Sequence, residues 1–206
     1  MTRGLRWRVF VLQVGLIGIL GFVAGFLFWG NSFVHNMVTN ELVAQKITFP
    51  AVGSPGFDAK DLGADHYNNM LPYAGQQLST GDQAQAYAND YINVHLGKVA
   101  GGQTYSQVSG ALIAEQAKTT PDAKVVATLT GQRTTLFMGE MLRSTLLNAY
   151  GWWTVGQYAF YAAIGLTVAA CAVFLALAFE ILAMRRRREV TEKVTAGRPA
   201  MVGGGN

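Results

Sequence analysis

Two long apolar runs frame the chain. The first, Val9–Trp29, is interrupted only by Gln13. Its 21 residues reach roughly 31 Å at 1.5 Å per residue, enough to cross the hydrocarbon core of a bilayer. A secretory signal peptide would have a shorter apolar core followed by small residues at a cleavage site. This run ends instead in Phe26, Phe28 and Trp29, so a retained anchor is expected. The second run, Tyr158–Phe179, has Thr167 as its one polar side chain apart from tyrosines. Glu180 and then Arg185, Arg186, Arg187 and Arg188 follow it. The pattern predicts two transmembrane helices.

Small residues recur along both. Gly15, Gly18, Gly21 and Gly25 are spaced by three or four, and so are Ala162, Gly165, Ala169, Ala172 and Ala176. Small side chains let helix backbones approach closely in lipid, where packing rather than hydrophobicity drives association. The two stripes are therefore candidate packing faces, for each other within one chain or for a second copy. Gln13 could hydrogen-bond the second span, and Glu180 could pair with the nearby arginines.

Between the runs the pattern is helical and polar. Asn31–Gln45 continues the first helix, and Thr48–Gly56 breaks it with two prolines and two glycines. Asp58–Tyr73 reads as irregular or short helix. Thr80–Leu96 reads as a helix capped by Thr80 or Asp82, with Ala84, Tyr87, Ala88, Tyr91, Ile92 and Leu96 on its apolar face. Thr104–Lys118 follows, with Tyr105, Val108, Leu112 and Ile113 on one face. Thr120-Pro121-Asp122 starts a last helix that runs into the second span. Trp29 on the first span and Trp152, Trp153 and Tyr158 on the second mark one membrane interface, where amphipathic rings collect.

Charge sets the orientation. Arg3, Arg6 and Arg8 precede the first run, and Arg185–Arg188, Lys193 and Arg198 follow the second. The segment between them carries seven Lys/Arg against nine Asp/Glu. Under the positive-inside rule both termini are cytoplasmic. The basic residues flank membrane spans rather than cluster on a folded surface, so nucleic acid is not an expected partner.

Candidate chemistry is sparse. The lone cysteine, Cys171, excludes an internal disulfide, a CxxC redox pair and a cysteine-built zinc site. His35, His66 and His95 are the only histidines, and none has HxxxH or HExxH spacing. His35 with Met37, and His66 with Met70, are weak copper signals. No GxSxG, SxxK or phosphate loop occurs. No catalytic residue, metal or cofactor is assigned.

Glu41–Pro50 (ELVAQKITFP), Tyr73–Gln77 (YAGQQ), Val99–Tyr105 (VAGGQTY) and Leu146–Tyr150 (LLNAY) resemble a group of actinobacterial two-span membrane proteins. The resemblance covers most of Phe33–Tyr161 and implies topology and host class, with no activity. Some similar chains bear the name aromatic ring-opening dioxygenase. Those enzymes use a His/His/carboxylate iron site, which the three histidines here do not spell. The chain also loosely resembles small accessory subunits of actinobacterial respiratory complexes.

The expected architecture is an all-α membrane protein with two transmembrane helices and a mostly helical extracytoplasmic domain between them. Residues 1–8 form a basic cytoplasmic N-terminus, 9–30 the first span and 31–152 the outer domain. Residues 153–183 form the second span with its interface, and 184–206 a basic, disordered cytoplasmic tail. The expected location is the cell membrane, multi-pass. The expected role is non-catalytic, as an accessory or scaffold subunit of an envelope or respiratory complex; the alternative is an extracytoplasmic ligand-binding or sensor protein. Its expected partners are the lipid bilayer and integral-membrane proteins or further copies of itself.

Overall fold

The computed structural model of the protein describes residues 3–196. It is built of helices, and no strand occurs among the described residues. In chain order they are α1 (Arg3–Ala44), α2 (Ala59–Leu62), α3 (Ala64–Met70), α4 (Gly81–Ala86), α5 (Asn93–Val99), α6 (Tyr105–Gln116) and α7 (Ala123–Ala196). A 3-10 turn, Leu71–Tyr73, follows α3, and a π-turn, Tyr87–Ile92, joins α4 to α5.

Two compact units divide the chain. One, here the apolar unit, comprises the residues up to Trp29 and those from Ala159 onward. The other, the head, is Gly30–Tyr158. The expected boundary at residue 152 is thus displaced to 158. Trp153 and Gly156 account for the shift. The Trp153 ring stacks on His35, with centroids 3.9 Å apart, and the carbonyl of Trp153 accepts a hydrogen bond from His35 Nε2 at 3.1 Å. A Cβ on Gly156 would stand 2.9 Å from the His35 ring, so only glycine allows α1 and α7 to approach so closely there.

Caps decide where the head's helices begin. Asp58 accepts from the amides of Lys60 and Asp61 and starts α2. Thr80 with Gln83, and Thr104 with Gln107, form reciprocal capping boxes on α4 and α6. Asp122 caps α7, accepting from the amides of Lys124 and Val125. At the end of α1, Lys46 takes a left-handed φ of 55°, the position glycine usually fills. Beyond it Thr48 pairs with Gln77, the amide of Phe49 donates to the carbonyl of Gln76, and the amide of Leu78 donates to that of Ile47.

The π-turn has a packing logic. Ala84, Ala88, Ile92 and Leu96 are all buried, at a strict spacing of four. At 3.6 residues per turn such a row drifts by about 40° per step. A turn closed i to i+5 takes up more residues and cancels part of that drift. The row then stays against Phe49, Met70, Val108, Leu136 and Leu146, which close the head's core.

On α6 the buried face is Val108, Leu112 and Glu115; Tyr105 and Ile113, expected to be inward, are exposed. The spacing 108–112–115 is one helical face, and residue 113 lies about 100° from 112.

In the apolar unit the two segments pack as an antiparallel pair. Phe28 meets Phe160 edge-on at 5.8 Å. Residues 184–196, expected to be a disordered tail, continue α7 to Ala196. Arg, Glu and Lys are among the better helix formers, and extending a formed helix costs no new nucleation. Arg198 and the remainder of the tail, 197–206, lie outside the described residues.

Candidate functional site

The polar features of the head gather on the π-turn. Such turns free backbone groups from the regular ladder and recur at functional sites. Asp90 is the central group. Its Oδ1 accepts from His66 Nδ1 at 2.7 Å and from Asn69 Nδ2 at 3.3 Å. The side chain of Asp90 is 13% exposed and that of His66 44%, so the pair sits at the surface with the carboxylate turned inward. One residue earlier, Asn89 accepts from Arg143 Nη2 at 3.2 Å, and Arg143 also reaches Glu140. One residue later, the carbonyl of Tyr91 accepts from His95 Nδ1 at 2.8 Å, and the two rings lie 4.4 Å apart.

Aromatic rings support the turn from beneath. Phe49 contacts both Tyr73 and Tyr87, and Tyr87 contacts Tyr91 at 5.1 Å. Burial raises the pKa of the Tyr87 phenol, and the neighbouring Tyr91 raises it further. Tyr87 is therefore neutral throughout the physiological range and serves as an amphipathic packing group.

The arrangement of His66 and Asp90 is that of a base and its orienting carboxylate. With Nδ1–H held by Asp90, Nε2 is the nitrogen left to meet a solute. Among the described residues no serine, threonine or cysteine hydrogen-bonds either His66 or His95. No three His, Cys, Asp or Glu side chains converge as a metal-binding group among them either. The geometry supports hydrogen bonding to a polar ligand and the fastening of α3 to the π-turn. Sequence spacing gives no hint of the pair, since 24 residues separate its members.

The residues singled out by the sequence fall elsewhere, and several change role. Gly15, Gly18, Gly21 and Gly25, and Ala162, Gly165, Ala169, Ala172 and Ala176, were candidate packing faces, for each other within one chain or for a second copy. All nine are exposed, and a Cβ on any of the four α1 glycines or on Gly165 meets nothing within 4 Å. The faces that pair within the chain lie one residue away. On α1 the less exposed positions are Gln13, Ile17, Leu20, Ala24 and Phe28; on α7 they are Ala163, Leu166, Ala170, Val173 and Leu177. Ala163 is 0% and Ala24 4% exposed. Each seam is rotated by about 100° from the expected one. Both faces of each segment are apolar, so apolarity does not distinguish the one that pairs within the chain. Gln13 lies on the pairing face, but its Oε1 is buried without a partner rather than bonded to the second span. Glu180 makes no ion pair among the described residues.

Among the aromatic markers Trp29, Trp152 and Tyr158 are exposed. Trp153 is instead half-buried in the head, against His35 and Gly81, so its ring is a packing element. Arg185, Arg186 and Arg187 are exposed on α7; Arg188 belongs to the same helix, and its side chain is outside the described set.

Compared with family models, curated proteins and solved structures, the chain matches none.

Proposed function

We propose that the protein is a non-catalytic integral membrane protein of the cell membrane, an accessory or scaffold subunit within a larger envelope or respiratory assembly. Both termini are cytoplasmic in this reading, and the head is extracytoplasmic. The observation that carries it is unburied apolar surface. Only 6% of the residues in the most apolar stretch of α1 and 11% of those in that of α7 are buried within the protein. A water-soluble protein does not leave such faces open. Lipid covers most of them, and the exposed glycine and alanine stripes are the places where another membrane helix fits closest.

Purification in mild detergent, followed by mass spectrometry of chemically crosslinked neighbours, tests the reading. The expected result is one or more integral-membrane partners recovered in stoichiometric amount and lost from Gly21→Leu or Ala169→Leu variants. A chain that runs as a bare monomer, with no reproducible neighbour, contradicts it.

The second reading, an extracytoplasmic ligand-binding or sensor protein, is favoured by the pairing of His66 on α3 with Asp90 on the π-turn. In that case a small polar solute raises the unfolding temperature of the wild type and leaves His66→Ala unmoved.

A further inference from the structure

A crevice of about 250 Å³ opens in the apolar unit near the start of α1 and the basic end of α7. Val9 and Phe10 form one wall, and Phe179, Ala183 and Met184 the other, with Glu180 and Arg187 as its polar lining. Arg8 adjoins the first wall in sequence, and Arg185 and Arg186 are exposed beside Arg187. We propose that this crevice holds one anionic phospholipid of the bilayer, an acyl chain lying against the apolar walls and its phosphate on the arginines. The inference rests on the membrane reading above and adds a ligand to it.

Charge placement selects the lipid class. Basic pockets between membrane helices on the cytoplasmic side bind anionic headgroups. A guanidinium also matches phosphate geometry through parallel hydrogen bonds. Glu180 does not oppose this. It precedes Arg187 by seven residues, about 10 Å deeper along the helix. A phosphate level with Arg187 leaves Glu180 beside the acyl region. A zwitterionic headgroup carries its ammonium outward from the phosphate, away from Glu180, so the carboxylate offers it no partner. The crevice therefore favours a headgroup whose net charge is negative.

The test uses the full chain in mild detergent and native mass spectrometry, with phosphatidylglycerol and phosphatidylcholine of identical acyl chains. One phosphatidylglycerol should stay bound per chain under activation that strips phosphatidylcholine. Arg187→Gln should weaken that retention about fivefold, the usual effect of one arginine at an anionic surface. Ala183→Trp, which fills the crevice without changing charge, should abolish it while helical content by circular dichroism is kept. Val9→Trp, on the opposite wall, replaces that variant if it does not fold. Equal retention of the two lipids, or full retention of phosphatidylglycerol by both tryptophan variants, overturns the proposal. Carbonate extraction separates this failure from that of the membrane reading. A chain that stays with the membrane pellet but does not discriminate lipids refutes the lipid site alone; a chain released to the supernatant refutes the membrane reading as well.

Discussion

Gly81 and Gly110 show how the same residue type carries opposite meanings in this protein. Gly81 opens α4, and a Cβ there would run into the Cβ, Cγ and Cδ1 atoms of Trp153. Those atoms lie close to the backbone of α7 and cannot swing aside. Gly110 lies within α6 with nothing within 4 Å of a Cβ. Gly81→Ala should therefore destabilise the protein by about 1–3 kcal/mol, the range for overpacking a fitted site. Gly110→Ala should stabilise it by about 0.5–1 kcal/mol through helix propensity. Denaturant unfolding in detergent, followed by the fluorescence of the tryptophans, measures both. Equal effects would show that Trp153 does not anchor α4. The sequence places Trp153 among the interfacial aromatics because a tryptophan beside an apolar run has that pattern. Its burial depends on the absence of a side chain 72 residues earlier, which no local pattern reveals.

At the scale of elements, Glu115 joins the end of α6 to the start of α7. Its Oε2 accepts from Lys118 Nζ at 2.5 Å and its Oε1 from the amide of Asp122 at 3.1 Å. The Lys118 hydrogen bond first, then that amide, holds the Glu115 carboxyl below its ordinary value of 4.5. The native state thus favours the ionised form. Its contribution to stability is present above the unfolded-state pKa and is lost as pH falls through the lower, folded one. Unfolding followed from pH 7 down through the carboxylate range should show a loss in the wild type that is smaller in Glu115→Gln. Identical pH profiles would remove Glu115 from the junction. Much of this level was legible beforehand. Thr80, Thr104 and the Thr120–Asp122 segment flag helix starts because caps act through neighbours two or three residues away. The apolar row at Ala84, Ala88, Ile92 and Leu96 was visible as well. The π-turn within that row was not, since it answers to the drift of a tertiary face. Nor were His66 and Asp90, which meet only because α3 folds back on that turn.

At the scale of the whole molecule, two questions remain joined: which side of the membrane the head occupies, and which faces of the spans serve the chain itself. In the proposed topology, which follows the positive-inside rule, the head lies outside. Cysteines at Ser79 and Thr195, each in a Cys171→Ala background, should differ toward an impermeant maleimide in intact cells. Ser79→Cys should react and Thr195→Cys should not; the reverse result inverts the topology. The same background separates the two seams. Ala24 and Ala163 are almost wholly covered, whereas Gly21 and Ala169 are exposed. Helices in lipid gain little from apolarity, so a covered alanine reports direct backbone approach. Cysteines at Ala24 and Ala163 should therefore crosslink within one chain, running faster on a gel without a change of mass. Cysteines at Gly21 and Ala169 should give no such intrachain product. If they instead give dimers, the small-residue stripes join two copies of the chain; if they react only with other membrane proteins, the stripes serve those partners. An intrachain crosslink at Gly21 and Ala169, with none at Ala24 and Ala163, would rotate both helices by one residue and restore the seam that side-chain size alone predicts.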